Sequence, residues 1–74
     1  MKLNEMKKKS NGLVNVVAAD YAVVVADDAV VVEGKFEEVK NIPTIANSLV
    51  LEWSYMSGEE FGIDEDQIVV ITVK

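Results

Sequence analysis

The chain has 74 residues, half of them hydrophobic, and its 13 acidic and seven basic residues give a formal net charge of −6. This length corresponds to one small domain, and the apolar content is too high for a disordered chain. The absence of cysteine and histidine excludes disulfides, thiolate metal sites and the side chain that most often acts as a general base near neutral pH.

The charges are distributed unevenly along the chain. Residues 1–9 contain four of the seven lysines, whereas residues 52–66 contain six acids and no base. Such an acidic surface repels nucleic acids and anionic membranes. The valine-rich residues 13–32 are interrupted by aspartates, which a membrane-spanning helix does not tolerate well. We therefore expect no direct nucleic-acid partner, no membrane partner and a cytoplasmic location.

The N-terminal segment differs in composition from the rest. Residues 1–12 are predicted to form a flexible basic arm or a short helix, with Leu3 and Met6 on one face of that helix. Residues 13–74 are predicted to form a single α+β domain. Its first strand spans residues 13–18, because the branched valine side chain packs well on a pleated sheet.

A nearly symmetric valine pattern surrounds Asp27 and Asp28. Aspartate tolerates positive φ, so the pair predicts a two-residue hairpin turn. The predicted cross-strand pairs are Ala26 with Ala29, Val25 with Val30, Val24 with Val31 and Val23 with Val32. Alternate pairs point to opposite faces, so both faces of the hairpin are apolar.

A hairpin with two apolar faces needs a cover on each of them. Because so short a chain has little material for both, we predict that a second copy or a partner covers one face, and we expect a homodimer. The predicted oligomer interface consists of Val23, Val24, Val25, Val30, Val31 and Val32. A compact barrel that closes on itself is the structural alternative.

The remaining elements are less regular. Residues 33–35 are predicted to turn, residues 36–42 to form a weak strand and residues 68–73 to form the last strand. Between them, Pro43 and an apolar stripe favour a helix over residues 43–61 that ends at Gly62, although apolar residues also alternate from Leu49 to Tyr55 as in a strand. With the helix, the predicted fold is α+β, an antiparallel meander of about four strands followed by one helix and a return strand. An all-β small barrel is the alternative.

No pattern of catalytic or metal-binding residues is present. The paired carboxylates are neighbours in sequence, which does not place two carboxyl groups across a cleft. The best acidic cluster begins at Asp64, but its sixth position is Val69 where a calcium loop needs glycine. We therefore predict no enzymatic activity, no catalytic or metal-binding residue and no cofactor.

Two classes of function agree with these features. The first is a non-enzymatic inhibitor or regulator that docks on a basic surface of a nucleic-acid-handling protein. Phage and mobile-element proteins that block CRISPR or restriction enzymes are analogous in size and charge alone. The predicted partner-binding residues, which would mimic phosphates around one aromatic contact, are Glu52, Tyr55, Glu59, Glu60, Asp64, Glu65 and Asp66. The alternative is an assembly subunit that acts through homo-oligomerisation of its valine-rich sheet, and a third option is an oligomer that binds a small molecule at a subunit boundary.

Overall fold

The computed structural model describes residues 1–8, 16–17 and 19–74. The strands are β1 (Lys7–Lys8), β2 (Val16–Val17), β3 (Tyr21–Ala26), β4 (Ala29–Lys35), β5 (Val50–Met56) and β6 (Ile68–Val73). Among these described residues, the helices are α1 (Phe36–Val39) and two 3₁₀ helices, Leu3–Glu5 and Gly58–Phe61. Within the described ranges, no helix has the length and apolar character needed to cross a membrane.

Strands β3 to β6 form a mixed four-stranded sheet in the order β4-β3-β6-β5. β3 pairs antiparallel with β4 and parallel with β6, which pairs antiparallel with β5. The α+β prediction is confirmed, and so is the last strand. The antiparallel meander is wrong because the two central strands are distant in sequence and run in the same direction. The sheet keeps two edges, β4 and β5, so the alternative of a closed barrel is wrong as well.

The two-residue turn at Asp27 and Asp28 is confirmed, with φ angles of +52° and +63°. The pairs Ala26 with Ala29 and Val25 with Val30 are also as predicted. Beyond them Val31 forms a β-bulge, so Val24 pairs with Val32, and Val23 with Glu33. The other two predicted pairs, Val24 with Val31 and Val23 with Val32, are therefore wrong.

The bulge at Val31 keeps a charge out of the core. A shift of one residue moves every following side chain to the other face of a strand. In the regular register Glu33 would lie opposite Ala22, on the face that packs against the core. In the bulged register Gly34 takes that place. A Cβ at Gly34 would lie 3.3 Å from Val39 Cγ2, so glycine allows α1 to pack closely on β4.

The predicted turn at residues 33–35 and strand at residues 36–42 are wrong. β4 continues through Lys35, and α1 follows immediately. Phe36 and Val39 are three residues apart and both buried, whereas Glu37 and Glu38 between them are exposed. This spacing lets one side of a single helical turn cover the sheet.

The helix predicted over residues 43–61 is also wrong, because β5 occupies its centre. A second bulge lies at Leu51, so that Val50 pairs with Val73 and Glu52 with Thr72. The extra residue brings Val50 and Trp53 onto the same face, where both pack against the core. A bulged strand thus produces the three-residue spacing that is typical of a helix.

The core lies on one face of the sheet. It combines sheet residues with α1, Ile45 and the N-terminal segment, in which Leu3 and Met6 are fully buried. On the opposite face Val23 and Ile68 are fully buried too. Val25, Val70 and Thr72 on this second face are only partly buried, so the two central strands are covered completely on the core face alone. The strand predicted over residues 13–18 lies outside the described residues except for β2.

Candidate functional site

The acidic connection, residues 57–67 between β5 and β6, contains five acidic residues and no base. Its 3₁₀ helix Gly58–Phe61 is capped by Ser57, whose Oγ accepts a hydrogen bond from Glu59 N at 3.3 Å. The helix ends at Gly62, whose φ of +69° reverses the chain at low cost. The acids of this segment, all exposed, are Glu59, Glu60, Asp64, Glu65 and Asp66.

Backbone contacts close the acidic connection on itself. Ile63 N donates a hydrogen bond to Gly58 O at 2.9 Å. Gly58 is buried, and a Cβ there would lie 2.8 Å from Ile63 O and collide with Glu65 O. Since only a glycine fits, the segment is held compact by its main chain, and its carboxylates are presented from a defined backbone.

The structure separates two of the predicted contact residues from this segment. Glu52 lies opposite Thr72, and Tyr55 lies opposite Val69. They are three residues apart in a strand, so their side chains lie on opposite faces of the sheet. Tyr55 contacts Trp53 edge to face, with ring centroids 5.6 Å apart. The single helical face on which sequence reasoning joined Glu52, Tyr55 and Glu59 does not exist.

A cavity of about 400 Å³ lies beside the acidic connection. Glu65 reaches its wall from the connection, and the other lining residues are Asp20, Tyr21, Lys35 and Glu37. Tyr21 lies opposite Ile68 in the parallel register and opposite Lys35 in the antiparallel one. The fold therefore brings three carboxylates, one ammonium group and one phenol ring together from three parts of the chain, residues 20–21, residues 35–37 and Glu65.

Sequence reasoning missed Asp20 and Glu37 as members of this acidic surface. The proximity of both residues to Glu65 depends on the parallel pairing of β3 with β6, which brings the start of β3 next to the end of the acidic connection. An antiparallel meander does not predict that neighbourhood. The charge of the two residues was visible in the sequence, but their proximity to Glu65 was not.

The opposite end of the sheet, at the Asp27–Asp28 turn, exposes apolar side chains, and we call it the apolar end. Of the six valines predicted at an oligomer interface, Val23 and Val24 are fully buried, and Val25 and Val32 are partly buried. Val30 and Val31 are 51% and 50% exposed. Only the part of the hairpin nearest its turn thus presents apolar side chains to solvent.

The chemistry offered by these surfaces is that of charge and apolar contact. No group of three or more acidic side chains in residues 1–8, 16–17 and 19–74 is arranged to hold a metal ion. Comparisons with protein-family models, with curated proteins and with solved structures give no match.

Proposed function

We propose that this protein is a non-enzymatic interaction module whose acidic connection docks on a basic surface of a nucleic-acid-handling protein, as an inhibitor or regulator. The observation that carries the proposal is a compact segment with five exposed carboxylates and no base. The carboxylates act as phosphate mimics toward lysine and arginine side chains. CRISPR and restriction enzymes are partners of this class. A partner of this kind implies that this protein acts in the cytoplasm.

The compact backbone supports tight binding. A flexible acidic tail loses conformational entropy when it is ordered by a partner. Here the hydrogen bond from Ile63 N to Gly58 O and the close packing at Gly58 restrain the segment before it binds. Less entropy is then lost per carboxylate contact.

The cavity enlarges the acidic surface. Asp20 and Glu37 lie with Glu65 around it, and Lys35 is the one cation among its lining residues. The field of such a surface accelerates association with a basic partner and weakens as salt concentration rises. Glu52 and Tyr55 lie outside this cluster on β5, so we assign them to the margin of the contact.

The test uses an arginine- and lysine-rich peptide as the probe and measures its dissociation constant by fluorescence anisotropy at several salt concentrations. Glu59→Gln with Asp66→Asn removes two charges from the acidic connection. We expect this double substitution to weaken binding about tenfold at low salt, because two exposed ion pairs are lost. The wild-type affinity is expected to fall steadily as salt rises.

The matched control removes two charges from the opposite end of the sheet. Asp27→Asn with Asp28→Gly changes the net charge equally and suits the turn, which has positive φ at both positions. We expect it to weaken binding by less than about threefold, through the long-range field alone. Equal losses in the two variants, or an affinity that does not respond to salt, would contradict a docking site at the acidic connection.

A further inference from the structure

We draw no further inference here: the strongest candidate, the cavity beside the acidic connection, rests on a cluster of acidic residues in which Glu37 already pairs with Lys40 at 3.3 Å, and among the residues that the structure describes no buried polar side chain is left without a partner to indicate a ligand there.

Discussion

The acidic connection and the apolar end lie at opposite ends of the same two central strands, and different interactions hold them in place. Packing of its main chain around Gly58 closes the acidic connection. The apolar end carries the bulges at Val31 and Leu51, and large apolar side chains are exposed there, those of Val30, Val31, Leu49 and Leu51. One small sheet thus separates a charged surface from an apolar one.

The parallel pairing of β3 with β6 is the reason for this separation. Both central strands start at the acidic end and finish at the apolar end. The acids that precede β6 therefore meet Asp20, which precedes β3. At the other end, the turn that follows β3 and the last residue after β6 lie side by side.

The largest loss of stability is expected from a substitution that disturbs the backbone of the acidic connection. Gly58→Ala should lower the free energy of unfolding by about 3 kcal/mol, because the new Cβ collides with main-chain oxygens that cannot move away as a flexible side chain would. Gly62→Ala has open space and only its positive φ to overcome, which costs about 1 kcal/mol. Urea unfolding followed by Trp53 fluorescence measures both, and equal losses would show that Gly58 is not tightly packed.

Two substitutions on β5 test whether an exposed side chain of the apolar end contributes to the stability of the fold. Trp53→Ala should cost about 2 kcal/mol, because Trp53 is partly buried against the core. Leu51→Ala should cost less than about 0.5 kcal/mol in the monomer, because Leu51 is mostly exposed. Urea unfolding followed by circular dichroism at low protein concentration compares the two. A loss at Leu51 as large as that at Trp53 would mean that its side chain stabilises the monomer.

The Asp27–Asp28 turn offers a test of opposite sign, a substitution that is expected to stabilise the protein. Asp27→Asn with Asp28→Gly should raise the free energy of unfolding by about 0.5–1 kcal/mol, because asparagine and glycine accept positive φ more readily than aspartate does. The same denaturation experiment measures the gain. A loss of stability instead would indicate that the two carboxylates support the turn through their own hydrogen bonds.

Local features of the fold were predictable from the sequence, and register was not. The Asp27–Asp28 turn and its first two pairs involve residues that are adjacent in the chain, so turn chemistry suffices to predict them. The bulges at Val31 and Leu51 depend on which side chains the core accepts, Gly34 in place of Glu33 and Trp53 in place of Glu52. A pattern of apolar residues does not reveal that choice until the neighbouring strand is known.

The candidate site was predictable in the same partial way. The five acids of residues 57–67 are contiguous enough in sequence to be recognised as one surface. Glu52 and Tyr55 are separated because β5 is a strand. The sequence did not predict this separation, because the apolar spacing of the bulged strand resembles that of a helix. The proximity of Asp20 and Glu37 to Glu65 requires the parallel pair.

By itself the sequence determined the acidic balance, the absence of cysteine and histidine chemistry, the hairpin turn and the strand character of residues 68–73. Each of these depends on composition or on residues within a few positions of one another. Only the tertiary structure decided that β6 lies beside β3, which edges carry bulges and which end of the sheet is apolar. The physical reason is that strand neighbours and register are set by burial between segments far apart in the chain, and local propensity carries no information about such contacts.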